Sequence, residues 1–155
     1  MVVDKEHINQ CLTQFTALCR QQGLPVTVQR REILKAVLQR DDHPTAEAVY
    51  ESVKDRVAGL SRTTVYRVLD RLVDLGVIRR LHHPGTTARF DGNMGRHHHL
   101  VCRICNQTTD IDSPTLNDLE LPSTSEHAFQ VEDYSVHIIG ICKDCRKSKR
   151  KTSQS

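Results

Sequence analysis

The chain has 155 residues, of which 37% are hydrophobic and 4% aromatic, so it can form one domain or two small ones with an aliphatic core. No segment approaches the ~18–20 consecutive apolar residues of a membrane helix, and the first seven residues lack the apolar stretch of a secretion signal. We therefore expect a soluble cytoplasmic protein with no membrane partner.

Charge is distributed unevenly along the chain. Residues 1–85 carry 13 Lys and Arg against 10 Asp and Glu, residues 86–145 carry 4 against 9, and residues 146–155 add 5 basic residues and no acidic one. A basic first part followed by an acidic one fits a polyanion-binding module joined to a second module, although an ordinary solvated surface explains the same balance.

Four segments in the first part of the chain have apolar residues at helical spacing. The first covers residues 8–22; Thr27 and Thr45 are the predicted N-caps of the second and third, and the fourth opens at Ser61 and stops at Gly76. The side chains predicted to face a shared core are Ile8, Leu12, Phe15, Leu18, Cys19, Ile33, Leu34, Val37, Leu38, Ala46, Val49, Tyr50, Val53, Val65, Val68, Leu69, Leu72 and Val73.

Two short strands, 77–82 and 87–91, are predicted after the fourth helix and are joined through Pro84-Gly85, a dipeptide suited to a tight turn. Helices followed by a two-stranded hairpin are typical of a winged helix-turn-helix. We therefore predict that residues 1–91 form a DNA-binding domain.

The fourth helix is the predicted recognition helix, because the first turns of such a helix enter the major groove. An Arg there can donate two hydrogen bonds to guanine, and a Tyr can contact a thymine methyl group or a phosphate. Asp70 and Asp74 on the same arc leave open the alternative of a solvated surface of mixed charge. The residues predicted to contact DNA are Arg62, Thr63 and Thr64 at phosphates, with Tyr66 and Arg67 in the groove.

Four of the six cysteines form two Cys-x-x-Cys pairs, Cys102 with Cys105 and Cys142 with Cys145. Reductants in the cytosol keep thiols reduced, and four thiolates at this spacing match a tetrahedral structural zinc site. The alternative is a redox-active pair with a second pair present by chance.

The second part of the chain, residues 92–146, has the pattern of a small α/β domain. A domain of this size needs a metal or a partner chain to complete its core, so we expect both a zinc ion and a homodimer. The predicted fold class is α+β, an N-terminal winged helix-turn-helix followed by this α/β dimerisation domain with its structural zinc site. Its predicted elements are strands at 99–105 and 108–112, a helix at 114–120, a longer strand at 130–142, and a basic disordered tail at 147–155.

Histidines and carboxylates cluster just before the first cysteine pair. If a strand begins at His99, then His97 and His99 share a face and His98 points away, while Asp91 closes the hairpin and Asp110 lies on the next strand. Imidazoles and carboxylates without a thiolate suit Fe(II) or Mn(II), although intrinsic affinity favours zinc. A hydrated polar turn is the alternative.

Residues 27–34, 43–50, 62–69 and 89–91, followed by HHHLVCRIC and ICKDC, resemble the ferric uptake regulator (Fur) family of metal-sensing repressors over nearly the whole chain. The resemblance implies a homodimer that binds a palindromic DNA operator, a structural zinc at the four cysteines, and a regulatory Fe(II) or Mn(II) ion. The ligands that it implies for the regulatory ion are His43, Asp91, His97, His99 and Asp110.

A metal held by such a site would join the two domains and shift the population toward the DNA-binding form, so it would act as a corepressor. Aspartates at 91 and 110 are similar to the peroxide-responsive branch of the family, whereas iron sensors often carry glutamates there. We therefore expect a peroxide-sensing repressor, with an iron-responsive repressor of iron-uptake genes as the alternative.

Two other functional classes were weighed. A zinc-dependent hydrolase would need a substrate pocket, for which a domain this small offers little room; we therefore expect no enzyme. A structural zinc scaffold would leave Tyr66 and Arg67 unexplained. The family's peripheral metal site corresponds here to Arg96, His98 and Tyr134, so we expect no third site. No ligand role is predicted for Cys11, Cys19, His82, His83, His127 and His137.

Overall fold

The computed structural model describes residues 4–81 and 87–152. The chain divides into two compact units, Met1–Met94 (unit 1) and Gly95–Ser155 (unit 2). None of the helices within the described ranges is long and apolar enough to cross a membrane.

The described part of unit 1 consists of helices followed by an antiparallel hairpin, as the winged helix-turn-helix prediction requires. Its elements are α1 (Lys5–Gln21), α2 (Val28–Leu38), α3 (Ala46–Val53), α4 (Arg62–Asp74), β1 (Arg79–Leu81) and β2 (Arg89–Asp91).

Each helix of unit 1 begins after a short polar residue whose side chain accepts a backbone N–H from the first turn. These N-caps are Asp4, Thr27, Thr45 and Ser61, and the last three confirm the sequence prediction. Such a cap is worth about 1 kcal/mol, because it satisfies a donor that the helix itself leaves open. Asp4 also explains why α1 starts earlier than its apolar pattern indicates.

The core of unit 1 is aliphatic, as the composition predicts. The predicted inward faces are buried, apart from Leu18, Tyr50 and Val73, which are half-buried. Ile78 and Phe90 from the hairpin segment join the same core. Burial of an apolar side chain of this size contributes roughly 1.5–3 kcal/mol, so the hairpin is packed on the helices and does not merely follow them.

The hairpin is attached to the start of α3. β1 and β2 pair with Arg79 opposite Asp91, and the Phe90 N–H donates to the Pro44 carbonyl at 3.0 Å. The paired strands are shorter than predicted, and the Pro84-Gly85 turn lies outside the described residues.

The described part of unit 2 contains a three-stranded sheet of order β4-β3-β5, with β4 antiparallel and β5 parallel to β3. The mixed helix and sheet composition confirms the α+β class. Its elements are β3 (His98–Cys102), β4 (Thr108–Ile111), α5 (Pro114–Asn117), one 3₁₀ turn (Ser125–His127), β5 (His137–Gly140) and α6 (Lys143–Thr152).

Several predictions for this unit are wrong in extent: the strand expected at 99–105 ends at Cys102, and the helix expected at 114–120 ends at Asn117. The strand expected over 130–142 is limited to His137–Gly140, because Tyr134 turns toward α5 and its hydroxyl donates to the Asn117 carbonyl at 2.5 Å. The tail expected to be disordered from residue 147 continues α6 to Thr152. The cysteine segment starts this helix, since the Arg146 N–H donates to the Cys142 carbonyl, and the residues that follow include neither Gly nor Pro.

Candidate metal centres and nucleic-acid interface

Unit 2 brings the four predicted zinc ligands together. The Sγ atoms of Cys102, Cys105, Cys142 and Cys145 all lie within 4.8 Å of one another, and those of Cys105 and Cys142 are 3.7 Å apart. Zinc with Zn–S bonds of about 2.3 Å holds its tetrahedral sulfurs about 3.8 Å apart. The donor set therefore fits a zinc ion.

Backbone geometry prepares this cluster. β3 ends at Cys102, and Asn106, with φ of 58°, turns the chain so that its N–H donates to the Cys102 carbonyl at 2.8 Å. N–H groups of Cys105, Cys142 and Ile104 lower the pKa of Cys102 to about 6. A thiol so placed is largely ionised at neutral pH, and the thiolate is the form that binds metal.

A second cluster in unit 2 contains His97, His99 and Asp110. The Nε2 atoms of His97 and His99 lie 3.5 and 3.7 Å from one carboxylate oxygen of Asp110, which stands opposite His99 in the β3–β4 register. Nδ1 of His97 is 2.8 Å from the Gly95 carbonyl, so this ring presents Nε2 to the carboxylate. The two imidazoles and the carboxylate thus converge within one unit.

His98 lies on the opposite side of β3 and is fully buried. Its Nδ1 accepts the Val136 N–H at 3.1 Å, so its Nε2 carries the proton and donates to Asn117 Oδ1 at 3.0 Å. The His98 ring stacks on the Tyr134 ring. The Arg96 guanidinium also lies over Tyr134, 5.0 Å from its ring centroid. Both ring nitrogens of His98 are therefore engaged within the protein.

In unit 1, His43 and Asp91 are held by β2. His43 has φ of 50°, and Arg89 donates to its carbonyl at 2.9 Å. Asp91 ends β2, where its carboxylate accepts the Asn93 N–H at 2.8 Å. A ligand nitrogen of His43 and a carboxylate oxygen of Asp91 lie within 4.8 Å of each other, so this unit holds a nitrogen and oxygen donor side by side.

Sequence periodicity had no signal for His43 as a ligand, because a single histidine before Pro44 has the appearance of a helix-flanking residue. The family resemblance alone implied its role. The contact with Arg89, 46 residues away, is the feature that fixes its backbone.

The outer face of α4 presents Thr63, Tyr66 and Arg67, three of the predicted DNA-contacting residues, to solvent. Tyr66 is 47% exposed, and Arg67 is exposed beside it, while Val65, Val68 and Leu69 face the core. Thr63 is exposed, whereas the Thr64 hydroxyl lies 2.9 Å from that of Ser61, the N-cap. The first two turns of α4 thus offer a basic and an aromatic group.

Arg62 differs from the other predicted DNA contacts because it is bound to α3. Its guanidinium donates to Glu47 at 2.7 Å and approaches Glu51 at 3.5 Å, and it lies 4.3 Å from the centroid of the Tyr50 ring. Sequence reasoning missed these partners, since they lie 11–15 residues earlier on another helix.

Asp70 is also paired within unit 1. Its carboxylate accepts a hydrogen bond from Arg80 of β1, whose guanidinium lies 5.6 Å from the Phe90 centroid. This ion pair compensates one of the two negative charges, those of Asp70 and Asp74, that favoured a merely solvated surface for α4.

Comparison with known proteins identifies relatives over most of the chain. The model of the ferric uptake regulator family matches residues 21–139. The peroxide-responsive repressor PerR of Staphylococcus aureus (strain Mu50 / ATCC 700699) is 32% identical over 146 residues, which cover 94% of this chain and 99% of that protein.

Solved structures agree. The ferric uptake regulator from Francisella tularensis with iron is 30% identical with a TM-score of 0.67, covering 80% of this chain and 96% of that one. The Helicobacter pylori ferric uptake regulator, described with three functional metal-binding sites, shares the fold with a TM-score of 0.74 at 19% identity, covering 90% and 93%. The winged helix, the cysteine cluster and these matches lead to one conclusion: the chain belongs to the ferric uptake regulator family.

Proposed function

We propose that this protein is a metal-dependent transcriptional repressor that senses peroxide. The observation that carries the proposal is the position of Asp110, whose carboxylate faces the Nε2 atoms of both His97 and His99. Relatives 32% identical to this chain are named peroxide-responsive repressors, which supports the same choice.

The proposed regulatory ion is Fe(II) or Mn(II), with His43 and Asp91 of unit 1 and His97, His99 and Asp110 of unit 2 as its ligands. This nitrogen and oxygen donor set suits either ion. An ion that needs ligands from both units favours the form in which they act together, and it is a corepressor if that form binds DNA. Iron(II), when bound, supplies one-electron reduction of peroxide, and Mn(II) does not readily do so.

The proposed structural ion is zinc at Cys102, Cys105, Cys142 and Cys145. It would link the end of β3 to the start of α6. A second copy of the chain is the proposed partner of unit 2: the edge strand β5 is exposed, with Ile138 and Ile139 at 42% and 68% exposure. An exposed apolar edge strand is a surface that soluble proteins normally cover.

The proposed DNA contacts are Arg62, Thr63, Thr64, Tyr66 and Arg67. A dimer presents two copies of α4, so the proposed operator is palindromic, with half-sites about one helical turn or a multiple apart. The proposed location is the cytoplasm, where DNA and reduced thiols are both present.

The alternative is an iron-responsive repressor with the same parts. A solved regulator with iron, 30% identical to this chain, favours it. The same ligand residues serve both functions. The two differ in whether the iron-loaded protein keeps its DNA binding after exposure to peroxide.

Gel mobility shift with a duplex selected from random sequences in the presence of Mn(II) tests the proposal. We expect a metal-dependent shift that low peroxide abolishes for the Fe(II)-loaded protein and leaves intact for the Mn(II)-loaded protein. Persistence of both complexes would favour iron sensing, and binding that ignores metal would contradict a metal-dependent repressor.

A further inference from the structure

A basic cleft lies between α2 and α4 of unit 1. It encloses about 380 Å³ and is lined in part by Thr27, Gln29, Arg30, Thr64, Arg67 and Arg71. None of the described residues that line it carries a carboxylate. Three arginines around an open space of this size favour an anion over a cation, and we call this space the α2–α4 cleft.

The arginines of the cleft come from both helices: Arg30 lies on α2, and Arg67 and Arg71 lie on α4. Arg30 donates one N–H to the Pro25 carbonyl at 2.6 Å, which fixes its side chain at the start of α2. A guanidinium has five N–H donors, so this bond leaves most of them for a ligand. Arg71 follows Arg67 by one turn along α4, about 6 Å further along the axis.

Asp70, the acidic residue next to Arg71 in the sequence, does not repel an anion in the cleft. The Asp70 carboxylate is bound to Arg80 of β1, on the side of α4 that faces the hairpin. At the rim of α2, Val28 is an exposed aliphatic residue, with 68% of its surface accessible. Val28 is the sequence neighbour of the lining residues Thr27 and Gln29, and an exposed aliphatic side chain there fits contact with the C–H face of a deoxyribose, which adjoins a phosphate.

We propose that the α2–α4 cleft binds one phosphate of the DNA backbone through Arg30 and Arg71. The inference rests on the proposed DNA binding and adds contacts outside the residues assigned to it. When the first turns of α4 occupy the major groove, Arg67 reaches a base edge, and the groove is bordered by phosphates. Arg71, one turn away, and Arg30, across the cleft, then meet the backbone. Their contact stabilises binding to any sequence and carries no base preference.

The test measures binding of the zinc- and Mn(II)-loaded full-length dimer to two probes, the selected duplex and a mixed-sequence duplex, at several salt concentrations. The logarithm of the binding constant falls linearly with the logarithm of the salt concentration, and each phosphate contact adds about 0.9 to the magnitude of this negative slope. We expect Arg30→Ala and Arg71→Ala each to reduce this slope by about that amount, by the same amount on both probes. Arg30→Lys, which keeps the charge, should retain most of the slope.

Arg31→Ala is the matched control. Arg31 lies next to Arg30 on α2 but is exposed outside the cleft, and it donates to the Thr16 hydroxyl of α1 at 3.1 Å. We expect the salt dependence of Arg31→Ala to be steeper than that of Arg30→Ala or Arg71→Ala. Circular dichroism checks that every variant is folded.

Other outcomes overturn the inference in distinguishable ways. An unchanged slope in both Arg30→Ala and Arg71→Ala means that the cleft does not hold a DNA phosphate and serves another anionic partner. A loss confined to the selected duplex assigns these residues to base contacts, and an equal loss in Arg31→Ala shows a general charge effect. If the wild-type protein fails to bind either duplex, the proposed function fails with it.

Discussion

Arg62, the first residue of α4, is joined to Glu47 in the first turn of α3 by three hydrogen bonds of 2.7–3.0 Å between guanidinium and carboxylate. Both side chains are about half exposed, at 56% and 49%. Exposed ion pairs of this kind contribute about 0–1 kcal/mol, so a DNA phosphate can replace the carboxylate at small cost. The pair ties the two helices together in the free protein and leaves Arg62 able to exchange partners.

Glu47→Gln should therefore strengthen DNA binding by roughly 2–5-fold at low salt, because Arg62 no longer gives up a carboxylate to contact a phosphate. Fluorescence anisotropy with a mixed-sequence duplex measures the effect. Glu51→Gln is the control, since Glu51 lies 3.5 Å from Arg62 and is bound to Lys54 at 2.6 Å, and its effect should be smaller. Unchanged binding by Glu47→Gln would assign Arg62 to joining the helices and not to DNA contact.

The same pair should titrate in the acidic range. The hydrogen bond from Arg62 lowers the pKa of Glu47. A carboxyl group with a lowered folded-state pKa contributes stability that is present above its unfolded value of about 4.3 and is lost as pH falls through the folded value. NMR titration of the Glu47 carboxyl carbon should give a midpoint below that of a model peptide, and Arg62→Ala should raise it. Equal midpoints in the two proteins would show that the ion pair does not form in solution.

Cys142→Ser should remove the zinc and with it the dimer and the fold of unit 2. Formation of such a site is coupled to folding, and structural zinc sites have apparent binding free energies of about 10–16 kcal/mol. Metal analysis, thermal melting and sedimentation measure the three losses. Cys11→Ser, on α1 and outside the cluster, should leave the zinc content unchanged. A zinc-free Cys142→Ser dimer with wild-type melting would contradict the structural assignment.

Arg67→Ala should relax the preference at one base position by about 1–3 kcal/mol while binding to unrelated sequences changes little. Selection of preferred sites from a random library by the wild type and the variant compares the two preferences. Uniform weakening on all sequences would place Arg67 on a phosphate, like Arg30.

The sequence predicted best what depends on neighbouring residues. The caps Thr27, Thr45 and Ser61 accept N–H groups three residues ahead, and the apolar faces follow a helical period, so both are visible in local patterns. The zinc cluster was predicted for the same reason, because each half is a Cys-x-x-Cys pair.

Contacts between distant segments were not predictable in this way. Tyr134 leaves the expected strand because its hydroxyl binds the Asn117 carbonyl, and Arg62 turns to α3 because Glu47 lies there. These two contacts join residues that lie 15–17 positions apart in the sequence. Alternating or helical periodicity contains no information on such partners.

The length of the carboxylate at residue 110 should decide how the metal site responds to peroxide. Asp110→Glu should reduce oxidation of the neighbouring histidines, because a longer side chain can fill a coordination position that Asp leaves open. Mass spectrometry of the Fe(II)-loaded variant, treated in parallel with the wild type, measures the yield. Equal yields would show that carboxylate length does not control the response.

Peptide mass spectrometry after a short peroxide pulse, with operator binding measured on the same samples, tests peroxide sensing most directly. In the Fe(II)-loaded protein we expect one oxygen atom added to His43 or His97, loss of DNA binding in proportion, and an intact zinc cluster; the Mn(II)-loaded protein should show none of these changes. DNA release that follows oxidation of Cys11, Cys19 or the zinc ligands, with both histidines unmodified, would contradict the account.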